Sequence, residues 1–429
     1  MEKLNEDFII NLSNNKGEPL WMKNFRLNSY KKFLELDNPS FGPKINIDFD
    51  NLVYHKGLFA PPSCSWENVD KKVKNTFNDL GVIEAENKYL KGVSNQYESE
   101  VIYHKMEESD GIIFLSTDEA LKKYPELFEK YFNNLVKYYE NKYTALNGAL
   151  WSGGSFIYIP PYTKVDRPLQ SYFRIDTKNL GQFERTIIIV DHDSSLHYIE
   201  GCTAKNYSTT SLHAGVVEIY VGKNSTCKYS TIQNWSKDVY NLVTKRAILE
   251  EGAYMQWVDG NIGSGVTMKY PSCILKGDNS KASSISIAYA KEGQHLDAGA
   301  KMIHIGKNTK STIISKSIAG FGGTSDYRGT VKIAKDATGS FATIKCDNII
   351  LDNISSSNTY PKNIVENNES TLEHEATISK INEEKLNYLM SLGISEDAAK
   401  DLYVLGFMSD FKKSLPMEYA VELNRLIKE

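Results

Sequence analysis

At 429 residues, 41% hydrophobic and 24% charged, the chain has the composition of a globular protein able to bury a sizeable core and to hold two or three domains. A formal net charge of -4, with the two signs interspersed, gives no reason to expect nucleic acid as a partner. Its richest apolar runs, TIIIVD and GGSFIYIPP, are of strand length and fall short of the roughly 18 residues of a membrane span.

In WMKNFRLNSYKKFLEL, Trp21, Phe25, Leu27, Tyr30, Phe33 and Leu34 recur at roughly helical intervals until Asp37-Asn38-Pro39 and Gly42-Pro43 break the pattern. Pro61 and Pro62 mark an irregular linker, a second amphipathic helix is expected from Trp66 to Leu80, and another is expected to start within Leu90 to Tyr97. Ser116-Thr117-Asp118-Glu119 is a capping box, in which the Ser hydroxyl accepts from first-turn amides and Glu119 reaches back. The periodic stretch that follows, DEALKKYPELFEKYFNNLVKYYENKY, is split in two by Pro125. Residues 1–147 therefore read as a helical or mixed region.

After Asn147 the period changes. From Leu150 onward short alternating strands such as SFIYIP, QSYFRID, RTIIIVD, CKYSTIQ, SSISIAYA, AKMIHIG and FATIKCD are separated by Gly, Asn, Asp and Ser turns, with turn signals about every ten residues. A sandwich, a propeller and a β-helix all fit; the frequency of the strands and the recurrence of Gly-Lys-Asn at Gly222 and Gly306 lean toward the β-helix. From Asn382 the pattern returns to helix in three pieces, EEKLNYLMSLG, SEDAAKDLYVLGFMSDFKKSL and PMEYAVELNRLIKE. Gly393 and Gly406 suit helix C-termini, Ser395 an N-cap and Pro416 a first turn.

Candidate chemistry concentrates between Thr330 and Lys380, where Cys346 and the triplet Glu373, His374 and Glu375 bracket a run of strands. Thiolate, carboxylate and imidazole are ligand types that iron or zinc accepts, and neighbouring rungs can bring distant residues together. Read without context, Cys346 is a small buried hydrophobe and the triplet a solvated strand end. Five cysteines, Cys64, Cys202, Cys227, Cys273 and Cys346, are odd in number and include no CxxC pair, which argues against a disulfide framework and a self-contained zinc or ferredoxin-type centre. The opening MEKLNEDFII lacks the pattern of a secretory signal, and a reducing, cytosol-like compartment fits best. No GxxxxGK[ST] or dinucleotide fingerprint occurs, so ATP hydrolysis would have to come from a partner.

The segments YIEGCTA, KYSTIQNW, MKYPSCILKGDNS, KMIHIGKNTKSTIISKSIAG, YRGTVKI, KCDNIILD and LEHEATISKI closely resemble the SufB/SufD family of iron-sulfur cluster assembly proteins of the SUF system, over nearly the whole chain. The EHEA motif, Glu373 to Ala376, is the mark that in this family separates the SufB branch from SufD. This resemblance implies a right-handed parallel β-helix over 148–376, flanked by the region 1–147 and a C-terminal helical domain 377–429 that binds the SufC ATPase, with YVLGF around Gly406 as the local contact. It implies a scaffold rather than an enzyme, on which a nascent [4Fe-4S] or [2Fe-2S] cluster forms, reduced flavin being one reductant. Cys346 and Glu375 become the assembly residues, with Glu373 and His374 as supporting ligands, and Cys202 the acceptor of persulfide sulfur. Arg174, Gln233, Trp235 and Lys245 become residues of the sulfur path, cations there stabilising anionic sulfur. One departure is Asp176, where many members have Asn. Implied partners are SufC, SufD or a second copy of the chain, and a cysteine desulfurase or sulfur-transfer protein, in the cytoplasm or a plastid stroma. ATP-driven pairing of SufC would expose Cys346. His213, His304 and Cys273 also fall on motif positions and read as core. A SufD-like structural subunit, or a carbohydrate-active β-helix enzyme, are the competing readings; no carboxylate set on adjacent rungs supports the latter.

Overall fold

The computed structural model describes residues 3–57, 59–79, 82–107, 111–205 and 210–409. From Leu169 onward the chain coils through two facing parallel sheets, contributing one strand to each per turn. The first sheet stacks Leu169–Ile175, Ser195–Ala204, Thr226–Asn234, Tyr254–Asn261, Lys281–Ala290, Lys310–Ala319, Phe341–Ile350 and Thr371–Lys380, giving a solenoid of eight coils. The second runs from Ser155–Ile159 through Arg185–Val190, Val216–Val221, Val239–Leu249, the interrupted rung Val266–Lys269 and Ser272–Leu275, His295–His304 and Thr324–Ile333 to Ser356–Val365. The parallel β-helix expected from the short strands is therefore the fold. Alternation along each strand turns one set of side chains inward, as in Phe341–Ile350, where Ala342, Ile344, Cys346 and Asn348 are buried. Pro361, unable to donate to a ladder, lies in Ser356–Val365, the outermost strand of its sheet.

Recurrent Gly-x-Asn turns set the rise of the coil. Asn224, Asn279 and Asn308 all take the left-handed conformation, with φ of 57°, 60° and 55°. Each turn packs on the backbone of the previous one: a Cβ on Gly277 would lie 2.0 Å from Glu251 N, and one on Gly306 2.5 Å from the Gly277 carbonyl carbon.

The N-terminal region is built on the helices Glu6–Lys16, Leu20–Glu35 and Lys142–Leu150, locked to the solenoid by buried charge. Arg26 pairs with Glu18 at 2.6 Å and donates to the Ala149 and Trp151 carbonyls. Glu218 accepts from the Asn133, Leu135 and Val136 amides and pairs with Arg185 at 2.8 Å. Ser116 caps Thr117–Lys123 and Pro125 opens Pro125–Tyr131, as their sequence positions predict. The helix expected to start within Leu90 to Tyr97 is instead the strand Gly92–Tyr97, pairing parallel with Leu169–Ile175 and antiparallel with Glu100–Met106. Tertiary pairing overrides the weak helical pattern there because Val93, Asn95 and Gln96 are all buried in the sheet.

Two helices, Glu383–Ser391 and Glu396–Phe407, pack Leu386, Ala399, Val404 and Met408 on the outer face of the first sheet against Ile287, Ile318 and Ile349. Ser395 caps the second helix, and Gly406 lies inside its last turn rather than beyond it. The third expected helix, from Pro416, lies outside the described residues.

Candidate functional site

Register brings together what sequence separates. In the first sheet Glu200, Thr231, Asp259, Ser286, Ser315 and Cys346 occupy one inward-facing row, each paired with the next rung. Two residues along, Cys202, Gln233, Asn261, Ala288, Ser317 and Asn348 form a second row beside it. Nearly all are polar in a solenoid interior, where apolar side chains would pack without desolvation cost. Thr231 Oγ1, Gln233 Nε2, Asp259 Oδ2, Asn261 Oδ1, Ser317 Oγ and Asn348 Oδ1 are buried without a protein partner. Such atoms are satisfied by internal water or by a polar guest. The two rows thus form a polar seam that joins the rung of Cys202 to the rung of Cys346.

Charge on the seam comes mostly in pairs. Lys245 reaches from the second sheet to place Nζ 3.0 Å from Glu200 Oε1, both side chains being sealed from solvent. The Tyr229 hydroxyl donates to the other Glu200 oxygen. Glu200 is held below the usual carboxylate range: burial opposes this, but Lys245 and the Tyr229 hydrogen bond prevail. Lys269 pairs with Asp259 at 3.0 Å and donates to Gln233 Oε1 at 3.2 Å. Cys202 is 1% exposed, its Sγ 3.8 Å from Glu200 Oε1; burial and the Glu200 and Glu184 carboxylates push the thiol pKa well up, against Lys245 and Lys269. It packs with Phe173, Ile175, Leu180, Trp235 and Val239.

Of the expected path residues, Gln233, Trp235 and Lys245 are interior and near Cys202. Arg174 is not: Phe173 is the register partner of Cys202, so Arg174 projects from the alternate face, with Nε 2.6 Å from Asp176 Oδ1 and an Nη1 bond to Thr203. Asp176, the residue departing from the family pattern, is therefore neutralised by Arg174.

At the far end Cys346 is fully buried, packed with Ile344 and Tyr327, and burial followed by Asp347 pushes its pKa up to about 12. Its partner on the next rung is Ala376, whereas Glu375 pairs with Lys345 on the outer face, with Nζ–Oε2 3.8 Å. Glu373 shares that outer face, opposite Thr343. His374 alone of the triplet alternates onto the face of Cys346, opposite Ile344; it is half-buried, Nδ1 meets Asn363 Nδ2 at 3.1 Å, and Nε2 has no partner. Cys346 and Glu375 are thus neighbours in rung but not in face, and among the described residues no three Cys, His, Asp or Glu side chains gather as a metal site.

Sequence comparison agrees with this architecture. Residues 173–407 match the family described as SUF system FeS cluster assembly, SufBD core domain, and residues 68–171 match the SufBD protein N-terminal region. The chain belongs to the SufBD family. It is 52% identical to the iron-sulfur cluster assembly protein SufB of Bacillus subtilis over 429 residues, 99% of this chain and 92% of that protein. It is 54% identical, with the same coverage, to iron-sulfur cluster assembly SufBD family proteins of Staphylococcus saprophyticus and Staphylococcus aureus. As a SufBD protein it takes part in iron-sulfur cluster assembly, and no helix among its described residues is long and apolar enough to cross a membrane.

Glu200, Asp259, Lys269 and Asn241 line the SufBD interior yet do not stand out in the sequence. The signal that would find them is the register itself: steps from Glu200 to Thr231, Asp259, Ser286, Ser315 and Cys346 are 31, 28, 27, 29 and 31 residues.

Proposed function

We propose that this SufBD protein is the SufB-type scaffold, with the core over 148–376, the region 1–147 buttressing it and 377–429 binding the SufC ATPase. The polar seam between Cys202 and Cys346 is the observation that carries this reading. A persulfide donor, a cysteine desulfurase or its sulfur-transfer protein, passes its outer sulfur to the Cys202 thiolate: a new S–S bond forms at Cys202, the donor S–S bond breaks, and the donor thiolate leaves. The seam rows between Cys202 and Cys346 hold no cysteine, so hydrosulfide acts as carrier: it takes the outer sulfur from Cys202 as hydrogen disulfide anion, freeing the Cys202 thiolate, and the Cys346 thiolate takes that sulfur in turn and releases hydrosulfide. Conversion of the sulfur now on Cys346 to sulfide takes two electrons, supplied by reduced flavin or another external reductant.

Iron and sulfide then combine as cargo on Cys346 and Glu375, with His374 and Glu373 as further donors. A soft thiolate with a weaker carboxylate holds a cluster that has to leave again. Because Cys346 faces inward and Glu375 outward, their meeting requires the terminal coil to open, which ATP-loaded SufC drives by drawing this chain against SufD or a second copy. Alkylation of Cys346 that appears only with ATP-loaded SufC supports this step; equal labelling without nucleotide overturns it.

The decisive experiment is anaerobic reconstitution with SufC, iron and desulfurase-fed sulfur, followed by absorbance and Mössbauer spectroscopy. Cys346→Ala and Glu375→Ala are expected to lose the cluster, whose type, [4Fe-4S] or [2Fe-2S], the wild-type spectrum identifies, and Cys202→Ala to lose the persulfide. An unchanged cluster in all three overturns the assignment.

A further inference from the structure

His213, in the strand Ser211–His213, is fully buried and has both ring nitrogens engaged. Nε2 lies 2.6 Å from Glu184 Oε1 and Nδ1 2.8 Å from Asn241 Oδ1. Both neighbours are acceptors, so both nitrogens carry protons and the ring is an imidazolium. Burial alone would lower its pKa; Glu184 and Asn241 together raise it.

This charge fixes the orientation of two amides in succession. With Oδ1 held by the imidazolium, Asn241 turns Nδ2 to Gln233 Oε1 at 2.7 Å. Lys269 Nζ, itself paired with Asp259, adds a longer bond to that same oxygen at 3.2 Å, so Asn241 and Lys269 together hold Oε1 and the shorter bond is Asn241's. Gln233 Nε2 is left buried with no protein acceptor, on the rung beside Cys202 and in register with it. The His213 ring also packs 4.6 Å from the Trp235 indole, whose Nε1 is likewise buried without an acceptor and which shares the Cys202 cluster.

Around Cys202 the cations are already committed, Lys245 to Glu200 and Lys269 to Asp259, and a carboxylate oxygen stands 3.8 Å from the sulfur. Anionic sulfur placed there needs donors that nothing else consumes. We infer that His213 is a positioning residue, holding Gln233 Nε2 through Asn241 and Trp235 Nε1 through ring contact as the two uncommitted N–H donors for a thiolate or persulfide anion on Cys202. The inference rests on the proposed role of Cys202 and deepens it.

Two variants of the full chain test it. Asn241→Leu breaks the relay and leaves the His213–Glu184 pair in place; His213→Phe keeps the ring against Trp235 and loses both hydrogen bonds. Each is treated with inorganic polysulfide, from which the Cys202 thiolate takes one sulfur and releases a polysulfide shorter by one atom. Peptide-resolved alkylation and mass spectrometry follow the Cys202 persulfide over time. A lifetime about tenfold shorter than wild type is expected in each. Gln233→Leu is expected to match Asn241→Leu, and the double variant to lose no more than either alone, since they act as one unit. Wild-type lifetimes in both relay variants, or losses that multiply in the double, overturn the inference. The pH profile of Cys202 alkylation tests the same donors without persulfide: it should shift to higher pH in Asn241→Leu, and an unshifted profile overturns the inference. A wild-type chain that takes up no persulfide while still showing that shift overturns the Cys202 acceptor role alone.

Discussion

Replacing Lys245 by Met tests how the seam is held together. Lys245 and Glu200 are 0% and 1% exposed with Nζ–Oε1 at 3.0 Å, so losing the ammonium strands a carboxylate with only the Tyr229 hydroxyl and the weak Cys202 thiol as donors. Breaking a buried pair from one side costs about 3 to 5 kcal/mol, because the surviving charge has no solvent to return to. With an unfolding entropy of about 2.1 cal/mol/K per residue, a chain of 429 residues loses about 3 to 6 °C of melting temperature. The companion Glu200→Gln in the Lys245→Met background removes the stranded charge and is expected to recover more than half of the loss. Calorimetry of the wild type, both single variants and the double gives the coupling directly. A Lys245→Met variant within about 1 kcal/mol of wild type, with no rescue by Glu200→Gln, refutes the reasoning: the two side chains would then be solvated or unpaired.

Three further outcomes are expected. His304, fully buried between Thr309 Oγ1 and Ser311 Oγ at 2.8 Å each, has its pKa lowered to about 4 by burial, against 6.5 in a free side chain. Between those values the unfolded chain binds a proton that the folded chain refuses, so stability falls as pH drops from 6.5 toward 4, by about 3 kcal/mol at the low end; urea titrations at pH 7, 6 and 5 should show a shallower slope for His304→Gln. Gly277→Ala should cost about 2 to 3 kcal/mol, because its Cβ would sit 2.0 Å from the Glu251 amide nitrogen and two stacked turns must part. Gly406→Ala, in the helix Glu396–Phe407 with no atom within 4 Å of its Cβ, should do the reverse and protect the amides of that helix from exchange by about 0.5 to 1 kcal/mol.

Strands and turns were legible because their physics is local: alternation marks Phe341–Ile350, and Gly-Lys-Asn marks turns whose Asn must adopt positive φ. The second region of helix was legible for the same reason, through Ser395 and the period of Glu396–Phe407. Facing was not. Whether Glu375 shares a side with Cys346 depends on the offset between two rungs, and a length change of one residue in the segment 351–370, which carries the strand Ser356–Val365 and its two flanking turns, would reverse it. The seam is not legible in the sequence because its rungs carry Glu, Thr, Asp, Ser, Ser and Cys at unequal spacing, which leaves no repeated residue at a fixed period. Gly92–Tyr97 reads as helix because its partners, Glu100–Met106 and Leu169–Ile175, both follow it in sequence, the second more than seventy residues on, and supply the pairing that the segment alone does not announce.

A stack of coils in which each touches only its neighbours melts from its ends, one interface at a time. Cys346 is one strand away from the last rung of the first sheet, Thr371–Lys380, whereas Cys202 lies six strands from it in the same stack. Peeling back one coil therefore uncovers the first thiol and leaves the second untouched. The two cysteines differ in the number of interfaces guarding them, so, on the sulfur route proposed above, a modest pull at that end of the solenoid separates the moment at which sulfur is received from the moment at which it is displayed.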